Sequence, residues 1–141
     1  MSREKIEEKA FDYMASGFNC AESVLLATIE SRMGDIDGEL PKVASALGGG
    51  VGGSREEICG ALSGGVLAIG LLYGRTKPGV DVQFAKDLAT EFRVRFLKEN
   101  GCTKCGTLLD KFGEQNDSDK CRKMTGAAAA LLSDLLDEKG K

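Results

Sequence analysis

The residues of this 141-residue chain that could do the most chemistry are its cysteines. They stand at five positions: Cys20, Cys59, Cys102, Cys105 and Cys121. A cysteine thiolate is both a nucleophile and a metal ligand, so these residues could serve redox exchange or metal binding. Histidine is absent. This excludes Ser-His and Cys-His catalytic pairs, imidazole ligation of a metal and attachment of haem through histidine, and no haem is expected.

Most of the cysteines fall near the start of a predicted helix. Three of them lie in a first turn: Cys20, Cys105 and Cys121. Cys59 is expected one turn inside another helix. Backbone N–H groups and the positive end of the helix dipole stabilise a thiolate, so we expect thiol pKa values below the usual value of about 8.5. The alternative interpretation is that each cysteine is a small buried hydrophobic residue.

The most closely spaced pair, Cys102 and Cys105, forms a Cys-Thr-Lys-Cys motif. A redox function for this motif needs a disulfide that cycles, whereas a metal site needs two further ligands. Cys121 could supply the third ligand and Cys20 or Cys59 the fourth. Four thiolates would suit zinc or an iron–sulfur cluster. The spacing is that of neither a zinc ribbon nor a standard ferredoxin, so the metal and thiol interpretations both stay open.

A glycine run over residues 48–53 has the form G-x-G-x-x-G. It is not a dinucleotide-binding fingerprint, because the preceding segment is predicted to be helical and no acidic residue follows about 20 positions later. Glycine still lets a backbone approach a ligand closely, and a helix start can hold an anion or a thiolate. The candidate cofactor-binding residues are Gly50, Gly52, Gly53, Ser54, Gly60 and Gly64.

Helical periodicity dominates the chain, and no segment shows the alternation of a strand. The expected fold class is all-α, a single-domain bundle of about five to seven helices with a glycine-rich interhelical loop. Asn19 and Glu22 form a capping box that predicts a helix start just before Cys20. Ser54 and Glu57 form a second one, which predicts a central helix from Arg55 to about residue 73.

Two further patterns concern packing. Small residues at positions 60, 63, 64 and 68 leave a groove along the predicted central helix, where a neighbouring helix or a bound group could come close. Such faces also make a homodimer plausible. A stripe of large apolar residues predicts a core-facing helix that ends near Asn100: Phe84, Leu88, Phe92 and Phe96.

Charge and targeting signals narrow the function classes. The net charge is −3 and no block of basic residues exists, so nucleic-acid binding is not expected. The N-terminus has no apolar signal region. The uncharged stretch 58–74 contains five glycines and is interpreted as a buried helix rather than a membrane span. We therefore expect one cytoplasmic domain over residues 1–141, a setting in which cysteines favour redox or metal roles over structural disulfides.

The segment Cys59–Gly64 reads CGALSG and resembles the CGAxxG motif of the C_GCAxxG_C_C family of redox-active proteins. The resemblance covers nearly the whole chain, including FNCAESVLLA around Cys20, the glycine run, GLLYG at 70–74 and the two late cysteines. It implies a redox role but no particular substrate. It also implies that Cys102 is an additional cysteine and that the four shared by the family are Cys20, Cys59, Cys105 and Cys121.

Three functions are compatible with these patterns. In the first, the four cysteines cluster, Cys59 attacks a disulfide of a redox partner or small molecule, and a second cysteine resolves the mixed disulfide. In the second, the same sulfurs bind a metal or an iron–sulfur cluster. In the third, the cysteines are ordinary core residues and the glycine loop binds a small molecule or a protein. Ser63, Tyr73 and Arg75 are expected to line the same site as Cys59.

Overall fold

The structure is a computed structural model that describes residues 1–140, all of whose regular elements are helical. The elements are α1 (Arg3–Ala15), α2 (Cys20–Met33), a 3-10 helix (Leu40–Ala44), α3 (Gly60–Tyr73), α4 (Gln83–Asn100), α5 (Cys105–Phe112) and α6 (Asp119–Lys139). In this part of the chain no strand forms, and one isolated bridge joins Ile58 to Lys104. The predicted all-α bundle with a glycine-rich interhelical loop is confirmed. Lys141, the last residue of the predicted domain, lies outside the described residues.

Helix α2 begins where the sequence predicts, because its capping box forms. The Asn19 side-chain oxygen accepts a hydrogen bond from the Glu22 backbone N–H at 2.8 Å, and the Glu22 carboxylate accepts one from the Asn19 backbone N–H at 2.9 Å. This reciprocal pair satisfies two N–H groups at the helix start. Cys20 is consequently the first residue of α2.

The predicted start of the next long helix at Arg55 is wrong, because α3 begins at Gly60. Arg55 has a φ of 67°, in the left-handed region, which a right-handed helix cannot contain. Ser54 does not cap a helix; its hydroxyl donates to the Gly50 carbonyl oxygen at 2.7 Å. Residues 54–59 instead form backbone hydrogen bonds with the residues at the start of α5. Because α3 begins only at Gly60, Cys59 is its N-cap rather than a residue one turn inside it.

The glycine loop folds as a left-handed turn. Residues 49–53 all have φ values between 65° and 73°. Four of the five are glycines, which adopt this conformation without steric cost, whereas Val51 adopts it against the preference of a β-branched residue. The turn packs tightly on α5: a Cβ atom at Gly50 would lie 2.6 Å from the Cβ of Cys105.

The helices pack so that α2 and α6 share the interior. Helix α2 contacts α1, α3, α6 and the 3-10 helix, and α6 contacts α1, α2, α3 and α4. Helix α3 contacts α2, α4 and α6 and buries its first six residues, while Leu71 near its C-terminus is 53% exposed. Leu88, Phe92 and Phe96 of α4 are buried, which confirms the apolar stripe as core. Within residues 1–140, no helix is both long enough and apolar enough to cross a membrane.

The small-residue groove of α3 is filled by α2. A Cβ atom at Gly64 would overlap the Ala21 carbonyl oxygen and lie 2.8 Å from the Ala21 Cα. A Cβ atom at Gly60 would collide with the Cys20 sulfur. The prediction that a neighbouring helix approaches this face is thus confirmed, and the crossing holds Cys20 against the N-terminus of α3.

Candidate functional site

Four of the five cysteines line one cavity of about 280 Å³. Each comes from a different helix start: Cys20 begins α2, Cys59 caps α3, Cys105 begins α5, and Cys121 lies in the first turn of α6. All of them are free thiols. The tertiary structure therefore brings together residues that lie up to 101 positions apart in the chain.

Backbone hydrogen bonds tie the Cys59 and Cys105 segments to each other. The Cys59 N–H donates to the Thr103 carbonyl at 2.7 Å, and the Cys105 N–H donates to the Glu57 carbonyl at 3.0 Å. The Gly106 N–H donates to the Arg55 carbonyl at 2.8 Å. These bonds satisfy donors that the start of α5 would otherwise leave free, and they fix the two cysteines beside each other.

Cys59 is the most deeply buried of the cavity cysteines, with 3% of its surface exposed. Burial, and then the charge of Cys20, raise the pKa of Cys59 to about 12. Backbone N–H groups of Ala61 and Leu62 lower it, as expected at a helix start, but their influence is smaller. The prediction of a lowered pKa is wrong for Cys59, because desolvation of the thiolate outweighs the helix terminus.

The same prediction is wrong for two other cavity cysteines. Burial raises the pKa of Cys105, and the charges of Cys20 and Cys121 raise it further. Burial also raises the pKa of Cys121. In all three cases a charge on Cys20 raises the pKa, so the Cys20 sulfur lies within electrostatic reach of each of the others.

The other side chains that line the cavity include two leucines and two methionines, whose thioether sulfurs are polarisable. Met14 and Met124 line it beside Leu108 and Leu109. Within residues 1–140, Arg55 is the one basic residue of the lining. The charge of Arg55 lowers the pKa values of Cys105 and Cys121, in opposition to burial. Arg55 was missed as a site residue because the local pattern made it the first residue of a helix.

Gln115 holds Cys121 from the loop between α5 and α6. Its side-chain oxygen accepts a hydrogen bond from the Cys121 backbone N–H at 2.9 Å, and its side-chain nitrogen donates to the Cys121 sulfur at 3.4 Å. Gln115 was also missed, since it lies in the polar segment GEQNDSD, where no local feature of the sequence distinguishes it.

The predicted ligand-binding glycines have different surroundings. Gly53 lines the cavity, together with Gly49. Gly52 and Ser54 are exposed and are not part of its lining. Gly50, Gly60 and Gly64 pack against Cys105, Cys20 and Ala21, respectively. A ligand-binding role for any of these residues stays a prediction.

Four other residues singled out in the sequence lie elsewhere. Cys102 is half-buried against the core and does not line the cavity. Ser63 is buried, and its hydroxyl donates to the Gly60 carbonyl at 3.3 Å. Tyr73 ends α3 and Arg75 lies beyond it, so both are at the opposite end of the helix from Cys59. At the 1.5 Å rise of a helix this separation is about 20 Å, and their predicted place beside Cys59 is wrong.

The cavity thiols do not form a closed metal site as they stand. Over the described part of the chain, no group of three or more cysteine and carboxylate side chains is arranged to hold a metal ion. Zinc or iron–sulfur ligation by Cys20, Cys59, Cys105 and Cys121 therefore stays a prediction, and it would require these side chains to move closer together.

The fold and the site define a class: an all-helical protein in which four cysteines from four helix starts share one cavity. The family model described as putative redox-active protein (C_GCAxxG_C_C) matches residues 18–135, and the chain belongs to this family. The resemblance found in the sequence is confirmed. No curated protein and no solved structure matches the chain.

Proposed function

We propose that Cys20, Cys59, Cys105 and Cys121 form a thiol redox centre that exchanges disulfides with a partner in a reducing compartment such as the cytoplasm. One observation carries the proposal: four free thiols from four separate helix starts line a single cavity. Chance burial of cysteines as small hydrophobic residues does not require them to converge. Membership of a redox-active family supports the same chemistry.

The exchange has two steps. A cavity thiolate attacks one sulfur of a partner disulfide, which forms a mixed disulfide and releases the partner's other sulfur as a thiolate. A second cavity thiolate then attacks the sulfur of this protein's own cysteine in the mixed disulfide. This forms an intrachain disulfide and releases the partner's remaining sulfur as a thiolate. Two cavity thiols lose two protons and two electrons, and the partner disulfide is reduced to two thiols.

Cys59 is poorly suited to the first attack. An attacking thiol reacts fastest when its pKa is near the ambient pH. Burial raises the pKa of Cys59 to about 12, so very little thiolate is present at neutral pH. The first attack falls instead to a half-buried cavity cysteine, Cys20 or Cys121.

Oxidation by a small disulfide tests this function. We expect oxidised glutathione to remove two of the five free thiols and dithiothreitol to restore them. Peptide mass spectrometry should place the new bond between two cavity cysteines. Cys20→Ser is expected to lower the yield of this bond about tenfold or more, because Cys20 lies near the other three thiols. Cys102→Ser, the matched control outside the cavity, should leave the yield unchanged.

Two outcomes contradict the proposal. One is that all five thiols survive the glutathione disulfide. The other is that every disulfide formed contains Cys102, which would indicate surface oxidation rather than chemistry in the cavity.

A second candidate function is metal or iron–sulfur binding by the same four cysteines. The observation that favours it is the convergence of four free thiols on one cavity, because a bound cation would offset the burial and mutual repulsion of their thiolates. The neighbouring Met14 and Met124 add soft thioether sulfur, which suits soft metals.

Metal and inorganic sulfide content of the anaerobically purified protein separates the two candidates. A stoichiometric metal that is lost in Cys59→Ser and kept in Cys102→Ser would identify the cavity cysteines as ligands. Metal-free protein that still forms the intrachain disulfide would favour thiol exchange.

A further inference from the structure

We propose that Gln115 is a positioning residue that orients the Cys121 thiol in the cavity and stabilises its thiolate. This inference rests on the proposed redox function. Its test measures the reactivity of Cys121 alone and therefore does not depend on whether a disulfide forms.

The Gln115 side chain forms two hydrogen bonds with Cys121. Its oxygen accepts from the Cys121 backbone N–H at 2.9 Å, while its nitrogen donates to the Cys121 sulfur at 3.4 Å. A carboxamide can do both because it carries an acceptor oxygen and a donor NH₂ group on one plane. The two contacts together restrict both the start of the helix and the direction of the thiol.

The N-cap residue of α6 forms no side-chain capping hydrogen bond, and Gln115 accepts a hydrogen bond from the first turn instead. Ser118, at the N-cap position, has a φ of 57° and its side chain forms no capping hydrogen bond. The N–H groups in the first turn of a helix need partners from outside the helix. Gln115 supplies one for Cys121 from three residues before Ser118, and the left-handed backbone at Asp117 and Ser118 turns the chain between them.

The other cavity cysteines lack this arrangement. Cys59 and Cys105 are only 3% and 9% exposed, so a partner reaches their sulfurs less easily. Cys20 is half-buried, with its sulfur packed over Gly60. Among the described residues, Cys121 is the one cavity cysteine whose sulfur accepts a hydrogen bond from a side chain.

The electrostatic surroundings of Cys121 come from five parts of the chain. Burial has the largest effect and raises its pKa, and the hydrogen bond from Gln115 is the strongest influence that lowers it. Cys20 on α2 and Asp119 on α6 raise the pKa further, while Arg55, which follows the glycine loop, lowers it. Cys105 on α5 is also electrostatically coupled to Cys121. Gln115 is thus the neighbour whose change should shift the titration most.

Two variants of opposite charge test the proposal in the full-length chain. Gln115→Glu keeps an oxygen for the Cys121 N–H but places a carboxylate near the sulfur. Gln115→Lys places a cation and N–H donors there. The readout is alkylation of each cysteine by iodoacetamide, in which the thiolate sulfur displaces iodide, followed by peptide mass spectrometry as a function of pH.

The alkylation rate of Cys121 in the unmodified protein, measured at each pH, is the reference for both variants. Gln115→Glu is expected to slow the alkylation of Cys121 about tenfold at neutral pH. This corresponds to a rise of about one pH unit in the titration midpoint of the Cys121 thiol. Gln115→Lys is expected to move the midpoint the other way. The rate at high pH, where Cys121 is fully ionised, should change little in either variant.

The matched control is Gln83→Glu, the same substitution at the other glutamine of the chain, which donates to Asp87 on α4. It should leave the Cys121 profile unchanged. The proposal is overturned if neither Gln115 variant changes the Cys121 profile, or if the glutamate and lysine variants shift the titration of Cys121 in the same direction. The latter result would indicate a purely structural role. If Cys121 responds as expected while glutathione disulfide forms no intrachain bond, the redox function fails and the role of Gln115 stands.

Discussion

Replacing Gly64 with alanine is expected to lower the free energy of unfolding by about 3 kcal/mol, because the new methyl group has no space. It would overlap the Ala21 carbonyl oxygen and lie 2.8 Å from the Ala21 Cα. Both atoms belong to the backbone of α2, so relief requires that α2 and α3 move apart rather than that one side chain rotates. Denaturant unfolding followed by circular dichroism measures the change.

Two other glycines of α3 serve as graded controls for this prediction. At Gly70 an added Cβ meets no atom within 4 Å, so Gly70→Ala should stabilise the protein by about 0.5–1 kcal/mol through helix propensity. At Gly65 the added Cβ meets the Phe92 ring, which can shift, so an intermediate loss is expected. If Gly64→Ala were as stable as Gly70→Ala, the close crossing of α2 and α3 would be contradicted.

The crossing also holds the site together. Cys20 precedes Ala21, and its sulfur packs over Gly60 on the neighbouring helix. A displacement of α2 in Gly64→Ala should therefore alter the reactivity of Cys20 even in molecules that remain folded. Cysteine-resolved alkylation of the folded fraction would detect it.

Raising the pH from 9 to 12 is expected to destabilise the protein by about 3 kcal/mol through Cys59 alone. Burial raises the pKa of Cys59 from its ordinary value of 9.0 to about 12 in the folded state. Above pH 9 the unfolded chain therefore releases this proton while the folded chain retains it. The folded state binds more protons in this range, so stability falls as pH rises. Below pH 9 the stabilising contribution is fully present.

The matched variant for this prediction is Cys59→Ala, which removes the titrating group and keeps a small apolar side chain in the core. Unfolding is measured under reducing conditions at several pH values from 8 to 11. The two proteins should diverge by roughly 1 kcal/mol for each pH unit above 9, with the unmodified protein losing stability faster. Contributions from groups that are not coupled to Cys59, including Tyr13 with its pKa raised to about 12, are common to both proteins and cancel. Parallel stability profiles would show that Cys59 is not buried as a thiol.

Much of the helical framework could be predicted because its signals are local. The capping box of Asn19 and Glu22 lies within four consecutive residues and sets the start of α2. Gly101, with a φ of 83°, ends α4 where the sequence predicts. The spacing of Leu88, Phe92 and Phe96 places them on one helix face, and that face is buried. Each of these features depends on neighbours within one or two turns.

The start of α3 could not be predicted from the same kind of signal. Ser54 and Glu57 have the spacing of a capping box, yet the segment that contains them pairs with the start of α5. The bond from the Cys59 N–H to the Thr103 carbonyl spans 44 positions, so no local pattern contains it. Tertiary pairing of the backbone thus prevailed over a local capping signal.

The sequence by itself determined the all-helical class, the start of α2, the end of α4, the family and the identities of the cysteines, since these depend on residue types and short spacings. Only the tertiary structure decided that four of the cysteines share a cavity and that Gln115 contacts Cys121. It also reversed the expected direction of the thiol pKa values. A helix terminus is a local property, whereas burial is created by the whole fold, and the desolvation of a buried thiolate is the larger of the two effects here.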